Sequence, residues 1–248
     1  MKYIQSSSNP KFKQYKKLLT KKGRDQLGLF LVEGFHLVEE AKNAQNVLEY
    51  IISDSSSLPD DFLINDDLCT MLPNDLFLEL CDTQTPQGII AVCSKQEAFV
   101  QKAKKYLFID AVQDPGNLGT LIRTADASGM DAVILGNGTV DVYNQKVLRS
   151  AQGAHFHLPI VRGDLVQWIE KLQKEEIQVF GTALENGVDY RTVSPMENFA
   201  LIVGNEGSGM NPLILNQTTK NLYIPIYGKS ESLNVAIAAG ILMYHLRA

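Results

Sequence analysis

The 248-residue chain is 45% hydrophobic, carries a formal net charge of −5 and holds three scattered cysteines. That length and apolar content suffice for one large or two medium domains. No run approaches the roughly 18–20 apolar residues of a membrane span, no apolar leader core opens the chain, and Cys69, Cys81 and Cys93 offer no disulfide framework, so a cytoplasmic setting is expected.

Residues 1–24 hold Lys2, Lys11, Lys13, Lys16, Lys17, Lys21, Lys22 and Arg24 and no acid, which leaves a net charge of −13 over the remainder. Such asymmetry predicts a polyanion-binding arm on an acidic body. Within it, Phe12, Tyr15, Leu18 and Leu19 recur at helical spacing and predict a helix from Pro10 to about Lys22. "LFLVEG" then predicts a strand, "FHLVEEAKNA" a helix and "VLEYIIS" a second strand. A turn cluster at "SSSLPDD" and two short helical stretches lead to a third strand at "QGIIAVCS". This alternation predicts a small α/β domain over residues 1–95. "KQEAFVQKAKK" reads as a linker.

From Tyr106 the units lengthen. "YLFIDAV" is a near-continuous apolar run, expected of a strand covered on both faces. "DPGNLGTLIRTADASG" predicts a helix that starts at Asn117 and stops at Gly129. "DAVILG" predicts a strand, "NQKVLRSA" a helix, "HLPIV" a strand, "LVQWIEKLQK" a helix and "VFGTAL" a strand. Two more strands, "ALIVG" and "LYIPI", precede an apolar closing helix at "SLNVAIAAGILMYHLRA", with Ser232 placed to cap it. Repeated β-α-β units predict a parallel α/β domain over residues 105–248.

Several chemistries lack their residues. No GxGxxG opens a helix after the first strand, Walker A is absent, and no GxSxG elbow presents a serine. The "HFH" segment sets His155 and His157 on one face of the expected strand. Two histidines without a third ligand favour packing over a metal, so no metal is expected. What remains is three loops at strand carboxyl ends, where open α/β sheets bind ligands. They are "DPGNLGTLIRTAD", "GNEGSGM" and "IPIYGKSESLNVA". The middle one is glycine-rich, yet Glu206 stands inside it and would repel a phosphate.

Together and in this order the three loops resemble the SpoU family of RNA 2'-O-ribose methyltransferases, in the SPOUT superfamily. The matching residues are Asn117, Gly119 and Arg123-Thr124-Ala125 in the first loop. In the second they are Gly204, Glu206, Gly207 and Gly209. Ile224-Pro225 and Ser232-Leu233-Asn234-Val235 match in the third. "RSAQGAHFHLPI" is similar to the family's segment between its first two motifs. Residues 1–95, with "SNPKFK", "LFLVEG" and "LVEEA", resemble a substrate-binding domain of the L30e/L7Ae type.

The resemblance implies a SPOUT-type parallel sheet with a deep trefoil knot, a homodimer formed through the C-terminal domain, and S-adenosylmethionine as cofactor. Neither knot nor dimer follows from periodicity, and knots are rare. It implies catalytic roles for Arg123, Asn117, Glu206, Ser232 and Asn234, with Glu206 holding its loop or orienting Arg123. Cofactor contacts are implied for Thr182, Ala183, Leu184, Gly204, Asn205, Gly207, Ile224, Ile226, Ser232 and Leu233. Lys11, Lys13, Lys16, Lys17, Arg149 and Ser150 are expected to meet RNA. The implied reaction is methyl transfer to a ribose 2'-hydroxyl, with 23S ribosomal RNA favoured over transfer RNA because of the N-terminal domain. The rivals are a tRNA 2'-O-methyltransferase, a non-catalytic RNA-binding protein, a base methyltransferase of the same superfamily and a nicotinamide oxidoreductase. The S-L-N-V motif disfavours the third, and the missing fingerprint the fourth.

Overall fold

In the computed structural model, residues 1–59, 62, 64–101, 103–184 and 186–248 are described. Asp60 and Asp61 of the expected turn cluster and Lys102 of the expected linker lie outside them. The chain divides into two compact units, one built from residues 1–96 and 143–156, the other from 97–142 and 157–248. Among the described residues no helix is long and apolar enough to cross a membrane.

The first unit is a five-stranded mixed sheet in the order β1-β4-β3-β5-β2. Its strands are β1 (Lys2–Tyr3), β2 (Leu29–Glu33), β3 (Val47–Ser53), β4 (Cys69–Leu72) and β5 (Ile89–Ser94). Alternation along each strand feeds two cores. Leu31, Ile51, Ile90 and Val92 face α1 (Pro10–Leu18) and α4 (Asn74–Leu78), while Phe30, Tyr50, Ile52 and Ala91 face α3 (Phe35–Asn43). The two short helical stretches expected before β5 are a 3-10 turn (Asp66–Leu68) and α4; between them lies a strand that was not expected, β4, which pairs in parallel with β3.

The basic N-terminus is a packed element, not an arm. Phe12, Tyr15 and Leu18 of α1 are each at most 2% exposed. The single helix expected to run to Lys22 breaks at Leu19. Thr20 starts α2 (Lys21–Leu27), its hydroxyl donating to Lys17 O and accepting from Gly23 N. A Cβ at Gly23 would lie 2.0 Å from Lys17 O, so only glycine permits this turn. Arg24 is buried, with Nη1 donating to Leu18 O at 2.9 Å. That cation is spent inside the fold.

Helix α6 (Gln145–Ala151), expected in the second domain, belongs to the first unit. Leu148 joins the α3-side core, and Tyr143 and Phe156 stack near Phe30 with ring centroids 4.6 and 6.2 Å away. Helical spacing says that a face will be buried, but not against which sheet. The "HFH" segment also departs from expectation, since residues 154–156 form a 3-10 turn before the strand begins at Ile160.

The second unit is a seven-stranded, all-parallel sheet in the order β10-β12-β9-β11-β6-β7-β8. In chain order its strands are β6 (Lys105–Ile109), β7 (Ala132–Leu135), β8 (Ile160–Arg162), β9 (Gln178–Thr182), β10 (Val188–Asp189), β11 (Phe199–Val203) and β12 (Lys220–Tyr223). One face, with Tyr106, Phe108, Ile134, Val179 and Ile202, buries α7 (Leu165–Lys174) and α8 (Pro212–Leu215). On the other side α9 (Val235–Leu246) packs on β11 and on α5 (Pro115–Ala127).

Two helix starts differ from the sequence reading. Helix α5 is capped by Asp114, whose carboxylate accepts from Asn117 N, so Asn117 is the third helical residue and not the first. Helix α9 is capped by Asn234, not Ser232, through Ala236 N and Ile237 N. Both substitutes are as good at capping as the residues first chosen.

Candidate active site

In a parallel sheet all carboxyl ends lie along one edge. Four neighbouring strands here, β12, β9, β11 and β6, lead into segments around a cleft of about 670 Å³. Thr182, Ala183 and Leu184 follow β9, residues 204–209 follow β11, and Ile224, Ile226 and residues 231–234 follow β12. Asn117 and Leu242 complete it from α5 and α9. Each residue assigned above to the cofactor lines this cleft, as do Asn117, Glu206, Ser232 and Asn234; Arg123 does not. Glu231, from the exposed stretch after β12, also lines it and was missed because nothing periodic marks it.

The glycine loop closes on itself. Asn205 and Gly209 exchange both backbone hydrogen bonds, at 2.9 and 3.0 Å. Inside that ring Asn205 Oδ1 accepts from Gly207 N at 2.9 Å and Ser208 N at 3.0 Å. The amides that would cradle a phosphate are thus consumed internally. Asn205 Nδ2 donates outward to Ala111 O, which fixes the loop to the segment after β6. Ala111 has φ +58°, a left-handed conformation uncommon for a residue with a Cβ. Asp110, buried beside it, accepts Asn211 N at 2.6 Å.

Glu206 is spent on the same junction. Its carboxylate accepts from Gln113 N (3.2 Å), Asp114 N (3.1 Å) and Asn117 Nδ2 (3.0 Å). Partial burial pushes this carboxyl up, but the donors from Asn117 and the backbone outweigh it and hold Glu206 below the usual carboxylate range. Glu206 therefore holds the loop; the alternative, that it orients Arg123, finds no hydrogen bond or ion pair among the described residues.

From Glu206 a polar chain crosses to the third loop. Asn117 Oδ1 accepts from Asn234 Nδ2 at 2.8 Å, and Asn234 Oδ1 caps α9. A carboxylate offers only acceptors, and a helix N-terminus offers only donors. The two ends therefore fix both amides in one orientation and lock three loops together.

Arg123 lies on the exposed side of α5, off the buried stripe of Leu118, Leu121, Ile122 and Ala125. Among the described residues it has no hydrogen bond or ion pair, which leaves its guanidinium available to a ligand. Ser232 is likewise exposed. No lysine, arginine or histidine lines the cleft among the described residues, whereas Glu206 and Glu231 do. Apolar walls from Leu184, Leu222, Ile224, Ile226 and Leu233 complete a site suited to a flat apolar ring with positive charge.

In the first unit, the residues expected to meet RNA divide. Lys11 pairs with Glu49 at 2.9 Å, where Tyr15 and Thr70 also donate, and Lys16 pairs with Glu79 at 2.8 Å. Arg149 pairs with Asp82, and Ser150 sits half-buried beside it on α6. Lys13 and Lys17, one turn apart on the outer face of α1, form no ion pair among the described residues.

Residues 104–244 match the SpoU rRNA Methylase family, and residues 9–91 match an MRM3-like substrate binding domain. The 23S rRNA (guanosine(2553)-2'-O)-methyltransferase RlmP of Bacillus subtilis (strain 168) is 53% identical over the full length of both chains. The AdoMet-bound rRNA methyltransferase from Sinorhizobium meliloti superposes with a TM-score of 0.87 at 29% identity, covering 99% of this chain and 97% of that one. The SpoU methyltransferase AviRb from Streptomyces viridochromogenes, in complex with AdoMet, gives 0.84 at 26% identity, over 96% and 97%.

Proposed function

The chain belongs to the SpoU rRNA methylase family, and from that premise we propose that it transfers a methyl group from S-adenosylmethionine to a ribose 2'-hydroxyl of 23S ribosomal RNA. The observation that carries the reading is the cation-free cleft closed by the Glu206–Asn117–Asn234 chain. The full-length match to a 23S rRNA enzyme supports the substrate, and two AdoMet-bound relatives support the cofactor. Mapping ribose methyls on 23S rRNA with and without the protein tests it. One methyl should vanish with the gene and return when purified protein and cofactor are added; an unchanged map would overturn the reading.

The cleft residues fit the cofactor. Leu184, Ile224, Ile226 and Leu233 suit adenine, while Glu206 and Glu231 complement a sulfonium and an ammonium. Bound there, S-adenosylmethionine supplies an electrophilic methyl. The chain's own work is alignment, which can by itself lower a barrier by several kcal/mol. Arginine is a donor and not a proton acceptor at neutral pH, so Arg123 orients the hydroxyl and an adjacent phosphate, and the proton leaves to water. Asn117 and Asn234 hold the wall against which the ribose is placed, and Ser232 offers its hydroxyl to the ligand.

The family's trefoil knot is part of this proposal, supported by the resemblance of the three loops. Its expected signature is refolding that stays slow even when prolyl isomerisation is catalysed. A cytoplasmic setting follows from the substrate. So does an RNA-binding role for the first unit, of the L30e/L7Ae type. There, Lys13 and Lys17 are the better phosphate contacts, since Lys11, Lys16 and Arg149 are already paired. Lys13→Glu with Lys17→Glu should weaken RNA binding and flatten its dependence on salt, leaving cofactor affinity intact. An unchanged salt slope would reduce these lysines to solubilising charge.

The protein is proposed to be a homodimer through α9. Ile237, Ile241 and Tyr244 are 56%, 36% and 57% exposed and lie at i, i+4, i+7 along it. A continuous apolar stripe of this kind marks an interaction surface. Light scattering on active protein at micromolar concentration should give twice the chain mass, and a monomeric mass would refute the dimer.

A further inference from the structure

The stretch that follows β12 borders the cleft as an exposed strap. Residues 227–234 are all exposed, yet Glu231, Ser232, Leu233 and Asn234 line the cleft, as does Ile226 just before them. Exposed backbone of this length is costly to hold in one shape, because each ordered residue gives up conformational entropy. The strap is pinned at two points. At its far end Asn234 bonds Asn117 and caps α9. At its near end Tyr227, although 83% exposed, accepts a hydrogen bond at its hydroxyl from Arg191 Nη1 at 3.0 Å. Between these pins no side chain of the described residues makes a hydrogen bond.

Arg191 is itself fixed. Asp189 Oδ1 accepts from the Arg191 backbone N at 3.0 Å and from Nε at 2.9 Å, and Oδ2 accepts from Nη2 at 2.5 Å. Asp189 ends β10, the sheet's edge strand, in register with Tyr223 of β12. The guanidinium fork is thus held by one carboxylate, with Nη1 directed at the Tyr227 hydroxyl. Pre-organising the donor in this way limits the entropy lost when the bond forms. Neither Arg191 nor Tyr227 lines the cleft, so any effect on a bound ligand passes through the strap.

We infer that Arg191 and Tyr227 are positioning residues that latch the strap to the edge strand and so hold S-adenosylmethionine in the cleft. This rests on the cofactor reading given above. With the latch closed, Ile226, Ser232 and Leu233 stand where the ligand meets them. When the latch opens in the complex, the bound ligand loses its contacts with the strap, so a weaker latch lets it leave faster. The latch therefore acts on residence time and leaves the methyl-transfer geometry at Arg123 unaltered.

The test uses the full-length protein, calorimetry with S-adenosylmethionine and with the unreactive S-adenosylhomocysteine, and stopped-flow dissociation. Tyr227→Phe removes the hydroxyl and keeps the ring; Arg191→Ala removes the donor. Each should weaken both ligands by about three- to tenfold, the range for one net hydrogen bond, with the change in the dissociation rate. The double variant should be no weaker than either single one, because both remove the same bond. Thermal unfolding should be near normal in all three. Additive losses, or wild-type affinity and off-rate in Tyr227→Phe, would overturn the latch. If Tyr227→Phe is normal while Tyr227→Leu raises KM for RNA alone, the ring contacts RNA and the latch is wrong. Failure of the wild-type protein to bind either ligand would instead overturn the cofactor reading, and this inference with it.

Discussion

Arg123→Ala is expected to leave the fold and cofactor affinity intact while methyl transfer falls by about 10²- to 10⁴-fold, the range for a positioned catalytic group. The fold should survive because Arg123 lies off the buried stripe of α5 and has no partner among the described residues to lose. Alanine is also the better helix former. Cofactor affinity should survive because Arg123 does not line the cleft. Arg123→Lys should rescue little, since a point ammonium cannot present the planar fork that orients a hydroxyl and a phosphate together. Single-turnover transfer to the mapped 23S fragment reads the effect free of product release. Near-normal rates in Arg123→Ala would make this residue a surface cation and nothing more.

Gly204→Val should abolish detectable cofactor binding, by a route the sequence did not show. The family resemblance casts Gly204 as a cofactor contact. In the structure a Cβ there would meet the loop's own backbone, at 2.4 Å from Gly209 C and from Met210 N. Neither atom can yield without opening the Asn205–Gly209 ring, and that would pull Glu206 off the amides it holds. Overpacking of this kind costs about 1–3 kcal/mol, so the variant should fold with a lowered Tm. Gly207→Ala is the control, because its Cβ would meet only Asn205 Oδ1 at 3.7 Å. Calorimetry should separate the two, and equal binding by both would dismiss the loop as a determinant of the site.

What the sequence made legible follows from the range of each signal. Near-continuous apolar runs such as "YLFID" declared a sheet buried on both faces, and the all-parallel order follows from the helices between strands. The three site loops were legible because glycine, asparagine and proline punctuate them. Caps were less so, since Asp114 and Asn117, or Ser232 and Asn234, are chemically equivalent candidates a few residues apart. Edge strands of two residues, β1 and β10, carry no period at all. Long-range polar partners were least accessible. Glu206 and Asn117 are 89 positions apart, and no local pattern says that the acid would turn to an amide in preference to Arg123. The Asp189–Arg191–Tyr227 latch was missed for the same reason.

The allegiance of residues 143–156 also bears on how the chain is made. On the ribosome the first unit lacks part of its core until Leu148 and Phe156 emerge, long after Gln96 has been added. At bacterial rates of roughly 5–20 residues per second that interval is about 3–12 s. During it Phe30 waits for the rings of Tyr143 and Phe156 that later stack near it, while β6, α5 and β7 are already out of the tunnel. The nascent protein therefore cannot finish its amino-terminal half before beginning its carboxyl-terminal half. Its two halves mature concurrently, and the interval of exposed apolar surface is one in which a chaperone would find a ready client.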